Sequence, residues 1–252
     1  MYEQFAAVYD RLMDDFDYPA WAEYYMKLLI RHGARPRSVC ECGCGTGSMT
    51  VQFARRGLKL TASDLSEDML RYAQEKARKN GVMVPFIRQD MRALSLHRPV
   101  EAILCCCDGV NYLTSPEAVQ DFFRSAYAAL RPGGVIAFDI SSRYKLKEKM
   151  GDAFFGEERD DVAYLWQNQY NNKTECILMD LTFFVRREDG LYTRFTEQHE
   201  QRAHSEEEIL SWLQACGFEA AASYGDRVFD APTDDTERIH FIAKKPMGDK
   251  LK

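Results

Sequence analysis

The chain is 252 residues long, 46% hydrophobic and 29% charged, the balance of a globular protein with room for one large domain. Its net charge of −6, from 33 basic and 39 acidic residues with no Lys/Arg cluster, argues against a nucleic-acid partner. No apolar run approaches the ~20 residues that cross a bilayer, and the opening MYEQFAAVYDRL has no basic segment ahead of an apolar one, so a cytoplasmic location is expected.

Residues 1–33 are expected to form an amino-terminal helical cap, with an amphipathic helix over 2–31 broken near Asp17–Pro19. Most of its aromatic residues are expected to cover a sheet. Residues 39–42 predict a first strand, which runs into Gly43, Gly45 and Gly47 and then a helix over 46–56. So glycine-rich a turn lets a ligand approach the backbone closely, and the following helix directs its first N–H groups to the same space. Residues 59–64 predict a second strand, followed by a helix that Ser66 caps and Gly81 stops. Third and fourth strands are expected over 84–90 and 101–107, a helix over 115–130 ending at Arg131-Pro132-Gly133-Gly134, and a fifth strand over 135–140.

Alternation of this kind predicts a doubly wound, mostly parallel α/β sheet of Rossmann-like type. Segments 161–170, 174–187 and 191–204, with Asn171-Asn172 and Asp189-Gly190 between them, predict a three-stranded antiparallel meander. It belongs to an insertion over 143–204. Ser205 and Glu208 make a capping box for a helix to Ala215, and strands over 217–224 and 237–244 complete seven in the main sheet. The core thus divides into 38–141 and 205–246, with a solvated tail over 246–252, all within one domain.

Ligands of such sheets bind at the carboxyl ends of the strands, where strand order reverses. The first strand brings Glu41 there and the second brings Asp64, 21 residues after Gly43 and placed to accept from ribose hydroxyls. The third brings Gln89-Asp90-Met91, an acid for an adenine amino group beside an apolar wall, and the fourth Cys107-Asp108-Gly109. Asn111 and Tyr112 follow, where a substrate nucleophile would sit. Tyr164, Trp166, Asn168 and Tyr170 share one face by period two, suited to an organic acceptor or to a second copy in a homodimer. His199 and His204 fall on opposite faces, and His199 is the candidate base. Cys40, Cys42 and Cys44 alternate and Cys105–Cys107 are consecutive, neither with the loop spacing of a zinc site, so strand packing rather than a metal is expected.

ECGCGTG at 41–47, TASDLSEDML at 61–70, RQDM at 88–91 and RPGG at 131–134 together resemble the class I S-adenosylmethionine (SAM)-dependent methyltransferases, in that family's order and spacing across 38–141. Ser48 stands where a dinucleotide fingerprint would place its third glycine. YEQFAAVYDRLM and the insertion further resemble a bacterial small-molecule subgroup. The resemblance implies that Gly43, Cys44, Gly45, Thr46 and Gly47 meet the methionine part of SAM, with Glu41 anchoring the turn or the amino group. It gives Asp64 to the ribose, Leu65, Met69, Gln89, Asp90 and Met91 to the adenine, and Cys106, Cys107 and Asp108 to the methionine part and the substrate. Tyr9 and Tyr18 would close the site from the cap. Tyr112 and His199 are the catalytic candidates, and Asn111, Tyr112, Tyr164 and Trp166 the acceptor candidates. The expected reaction moves a methyl group in line to nitrogen or oxygen of a small molecule, without a metal. The alternatives are an RNA methyltransferase, which lacks a basic stripe here and shows CDGVNYL in place of an Asn/Asp-Pro-Pro-aromatic signature, a nicotinamide-dependent oxidoreductase, and a non-catalytic SAM-binding regulatory or assembly protein.

Overall fold

The protein is described by a computed structural model covering residues 2–159 and 161–248, so residues 249–252 of the expected tail lie outside the described residues. Two helices, α1 (Tyr2–Leu12) and α2 (Tyr18–Arg31), precede the sheet. The break between them ends at Asp17, whose carboxylate accepts from Ala20 N at 2.9 Å and caps α2. The core then runs β1 (Ser38–Cys42), α3 (Ser48–Arg55), β2 (Lys59–Asp64), α4 (Glu67–Lys79), β3 (Phe86–Arg88), β4 (Val100–Cys105), α5 (Pro116–Ala129) and β5 (Leu130–Ser141). After the insertion come α6 (Glu206–Ala215), β10 (Glu219–Gly225) and β11 (Arg238–Lys244). The seven strands lie in the order β10-β11-β5-β4-β1-β2-β3, with β11 antiparallel to β5 and β10 and the rest parallel. Order reverses between β1 and β4, so the crevice expected for a ligand opens there.

Strand alternation assigns the two faces their cores. Phe138 and Ile140 of β5 pack under α5 and α6 with Phe122, Phe123 and Phe241, while Val135 and Ala137 face α2 and α3 with Tyr25, Leu28 and Phe53. The Phe138 and Phe241 rings stack at 5.2 Å across β5 and β11.

Strand β5 begins at Leu130, five residues ahead of the expected 135, and pairs there with Val100, and three further core elements depart from their expected limits for a backbone reason. Helix α3 starts at Ser48 rather than at 46 because Gly45 and Gly47 take φ of 52° and 78°, outside the helical region. Strand β3 spans Phe86–Arg88 rather than 84–90: Pro85 has no N–H for the ladder, and Asp90 turns the chain by accepting from Arg92 N at 2.9 Å. Strand β4 ends at Cys105, two residues early, because Cys107 and Asp108 are left-handed, with φ of 62° and 56°.

The insertion is a four-stranded antiparallel sheet, β6 (Phe154–Arg159), β7 (Val162–Asn171), β8 (Cys176–Arg186) and β9 (Tyr192–Arg202), rather than the expected three-stranded meander. The overlooked β6 pairs with β7 from Phe154↔Gln167 to Arg159↔Val162. Its acidic second half, Glu157-Glu158, resembles a loop in sequence because an edge strand with exposed side chains carries no hydrophobic alternation. Phe5, Val8 and Leu12 of α1 pack with Val162 and Phe183 on the inner face of this sheet, so α1 lies between the insertion and the core.

Candidate functional site

Beneath α1 lies a cavity of about 990 Å³ that spans the carboxyl edge of the main sheet and the inner face of the inserted one. At the β1 end, the glycine turn passes over it. Gly45 N donates to Asp64 Oδ2 at 2.8 Å and Ser66 N to Oδ1 at 2.9 Å, so one carboxylate ties the turn to the end of β2. Each oxygen retains a lone pair for a ligand. Burial pushes the Asp64 pKa upward, while these backbone donors pull it back. A side chain at Gly45 would meet nothing within 4 Å, leaving this stretch of backbone open to a ligand. Gly47 serves packing instead: a Cβ there would come within 2.9 Å of Ala73 Cβ, and the residue does not line the cavity.

Glu41 is 2% exposed and its Oε2 has no hydrogen-bond partner among the described residues, a condition shared by the Thr50 hydroxyl. Burial drives the Glu41 carboxyl up to about 8, and the Asp64 charge adds to the rise. An orphaned acid on a cavity wall suits a ligand ammonium. At the β3 end, Gln89 Oε1 accepts from Ser95 N at 3.0 Å while its buried Nε2 has no partner among the described residues. Asp90 is paired with its neighbour Arg92, whose Nη2 lies 2.6 Å from Oδ2, and this pairing holds the carboxyl below its usual range. Leu65, Met69 and Met91 supply the apolar wall here.

The roof carries Tyr9 and Tyr18 to the cavity as expected from their places in the cap. Burial raises the pKa of both phenols, so they remain donors. A polar junction holds α1 down. Lys76 Nζ donates to Asp10 Oδ1 at 2.7 Å, Thr46 Oγ1 at 2.9 Å and Ser48 Oγ at 2.6 Å, and Thr46 Oγ1 donates to Asp10 at 2.7 Å. Thr46 thus joins cap, turn and α4 at the cavity edge. Cys44 also lines the cavity and anchors the turn from below, its N–H donating to Ser63 O at 3.0 Å.

At the mouth of β4 the left-handed pair Cys107 and Asp108 aims two successive N–H groups at one carboxylate. Cys107 N donates to Asp139 Oδ1 at 2.8 Å and Asp108 N to Oδ2 at 2.9 Å, while Tyr25 OH donates to Oδ1 at 2.7 Å. Arg238 bonds both Asp139 Oδ2 and, at 2.8 Å, Asp108 Oδ1, and Gln201 Nε2 donates to Asp108 Oδ2 at 2.8 Å. Burial opposes the Asp139 charge, but Arg238 foremost holds its carboxyl below the usual range. The same burial opposes Arg238, and the Asp108 and Asp139 carboxylates outweigh it. Cys106, Cys107 and Asp108 all line the cavity, and burial raises both thiols, which stay protonated. The eight cysteines are all free, and among the described residues no group of three or more His, Cys, Asp or Glu could hold a metal ion.

Across the cavity stand Tyr112, Tyr164, Trp166 and His199. Tyr112 OH lies 3.5 Å from His199 Nδ1, and Phe5 of α1 packs on the imidazole with ring centroids 5.2 Å apart. Burial lowers the His199 pKa, so the ring is neutral near pH 7. Asn111 does not join them. Fully buried, its Nδ2 donates to Ser141 O at 3.0 Å and Arg202 O at 2.9 Å, and its Oδ1 accepts from Ser141 N at 2.9 Å, which makes it a joint between β5 and the end of β9. His204 lies past the end of β9, bonded to Arg202.

Sequence reasoning passed over Asp139, Arg238, Gln201 and Lys145, although the structure brings all four to this mouth. Asp139 alone carried a signal, as a single acid within the buried run VIAFDI. The other three come from β11, β9 and the turn after β5, and only folding makes them neighbours.

The residues matched by a methyltransferase-domain family model are 39–134, the stretch from β1 into the first part of β5. A provisionally named methyltransferase of Geobacillus sp. (strain WCH70) is 34% identical over 97% of this chain and 99% of its own length. YqeM of Bacillus subtilis (strain 168), also provisionally named a methyltransferase, is 33% identical over 97% of each chain. The crystal structure of a SAM-dependent methyltransferase from Clostridium acetobutylicum ATCC 824 superposes with a TM-score of 0.88 at 31% identity, covering 97% of this chain and 99% of that one. With likeness running the whole length of the chain, including cap and insertion, this protein belongs to the class I SAM-dependent methyltransferases.

Proposed function

We propose that the protein transfers a methyl group from SAM to a nitrogen or oxygen of a small molecule held under the inserted sheet. The single observation that carries this reading is one continuous cavity with Glu41 and Asp64 on one wall and Trp166 and His199 on another. Its residues fit the cofactor: an orphaned buried acid for an ammonium, a carboxylate with open lone pairs for ribose hydroxyls, and an unpaired amide donor beside Met91 for adenine. When bound, SAM supplies a methyl group already activated by a positively charged sulfur.

In this reading Glu41 and the backbone of Gly43 to Gly45 hold the methionine part, Asp64 the ribose, and Leu65, Met69, Gln89, Asp90 and Met91 the adenine. Tyr9 and Tyr18 exclude water from above, which favours alignment and transfer in a dry site. Tyr112 and Trp166 orient the acceptor with Tyr164. His199, neutral and with Nδ1 toward Tyr112, takes a proton from an acceptor that arrives as a hydroxyl or ammonium.

Calorimetric titration with SAM, S-adenosylhomocysteine and NAD tests the cofactor. Micromolar binding of the sulfur ligands is expected, and tight NAD binding without them overturns the reading. Asp64→Ala should weaken S-adenosylhomocysteine by about 10- to 100-fold, since ribose hydroxyls lose a charged acceptor. Incubation of a metabolite pool with methyl-labelled SAM identifies the acceptor; on that acceptor His199→Asn should lower kcat by about 100-fold or more with cofactor affinity unchanged. An unaltered kcat assigns the proton to another group.

A further inference from the structure

One cation on the cavity wall is answered by no hydrogen bond or ion pair among the described residues. Lys145 reaches the cavity from a π-helical turn, Tyr144–Met150, that follows β5. Such wide turns are rare and recur at functional sites. Among the described residues its ammonium makes no hydrogen bond or ion pair, whereas the other cations lining the cavity are engaged: Arg238 by Asp108 and Asp139, Arg92 by Asp90, and Arg88 by Glu67. The carboxylates whose field reaches Lys145 do not complete it. Asp108 binds Arg238 and Gln201, Asp139 holds four donors, and Glu237 is exposed. Burial accordingly lowers the Lys145 pKa, with Arg238 adding to the effect.

The surroundings say what would answer it. Met150, Trp166, Met179 and Leu181 form an apolar wall on the insertion side of the same cavity. A cation half removed from water beside such a wall is costly until an opposite charge meets it. The methionine carboxylate of the cofactor is a poor match, because Glu41 and the glycine turn belong to β1 while Lys145 follows β5, two strands farther along the sheet. That offset is about 10 Å at the usual strand spacing.

We propose that Lys145 receives an anionic group, a carboxylate or a phosphate, of an acceptor whose apolar or aromatic body lies against Trp166 and Tyr164. The assignment of that body as the methyl acceptor rests on the function proposed above. Lys145 then selects amphipathic acids over neutral molecules of the same shape and turns the far end of the acceptor away from the sulfur.

Two probes with one aromatic frame separate the charge from the shape: 8-anilinonaphthalene-1-sulfonate, whose sulfonate stands in for carboxylate or phosphate, and the neutral N-phenyl-1-naphthylamine. Titrated by fluorescence into protein loaded with S-adenosylhomocysteine, the sulfonate should bind about tenfold more tightly, the effect of one charge-assisted contact. Lys145→Gln should abolish that preference, Lys145→Arg should keep it, and affinity for S-adenosylhomocysteine should be the same in all three proteins. Equal binding of the two probes to wild type, or a preference that survives Lys145→Gln, overturns the proposal. So does weaker S-adenosylhomocysteine binding in Lys145→Gln, which would give Lys145 to the cofactor carboxylate. Failure of wild type to bind S-adenosylhomocysteine would instead sink the methyl-transfer reading, and the sulfonate preference is then read on the unloaded protein.

Discussion

Replacing Asp139 with Ala should destabilise the fold by about 3–5 kcal/mol, as expected when one partner of a buried ion pair is removed. Asp139 is fully buried, and four donors converge on its two oxygens: Tyr25 OH, the N–H groups of Cys107 and Asp108, and Arg238. Alanine would leave Arg238 with Asp108 as its carboxylate partner, and would take the acceptor from the buried Tyr25 hydroxyl and from two part-buried N–H groups. It would also remove what holds Cys107 and Asp108 at φ of 62° and 56°, a conformation that non-glycine residues keep only where surrounding contacts over-determine it. In a protein of this size the loss corresponds to a fall in Tm of roughly 10 °C. Adding Arg238→Met should recover part of it, because the buried guanidinium that lost one of its two carboxylates is then gone; the double-mutant cycle in thermal or urea melts measures the coupling. A single variant melting within a degree of wild type would refute this account of the mouth of β4.

Affinity for S-adenosylhomocysteine should rise with pH between about 6 and 8, by up to tenfold per unit. The cause is Glu41, whose carboxyl burial raises to about 8, so at pH 7 the free protein holds it mostly protonated. Accepting from the ligand ammonium requires the carboxylate, so binding at pH 7 releases a proton and is favoured as pH rises toward the free-protein pKa. The stability of the unliganded protein should follow the opposite trend. Between the ordinary glutamate value and about 8 the folded state binds the proton and the unfolded state does not, so stability is full below that window and declines through it. Glu41→Gln should flatten both profiles and weaken the ligand at pH 8. Calorimetry in buffers of different ionisation enthalpy counts the proton, and no proton release from wild type at pH 7 would remove Glu41 from the ammonium site.

Much of the core could be read from sequence because its signals are local. The spacing from the glycine turn to Asp64, the caps at Ser66 and Ser205, and the apolar runs of β4 and β5 depend on residues a few positions apart. The seven-stranded α/β fold and the inserted antiparallel sheet followed from them. Readings that needed a neighbour from elsewhere fared less well. Asn111, placed by its position after the fourth strand, turns away from the cavity because Ser141 and Arg202 offer its amide three partners from distant segments. Gly47 belongs by pattern to the ligand turn, yet it is Ala73 of α4 that requires its missing side chain. The edge strand β6 left no trace because its outward residues face water on both sides of the pleat.

By itself, then, the sequence determined the sheet, its family and which strand-end residues line the β1 to β3 side of the cavity, since backbone turns and strand-end acids lie within short contiguous motifs. Only the tertiary structure decided the pairing of side chains on the opposite side of the cavity. Lys145, His199, Gln201, Arg238 and Asp139 meet there from four segments, β5, the turn after it, β9 and β11. Their charges acquire meaning through burial and mutual pairing, quantities that no spacing along the chain encodes.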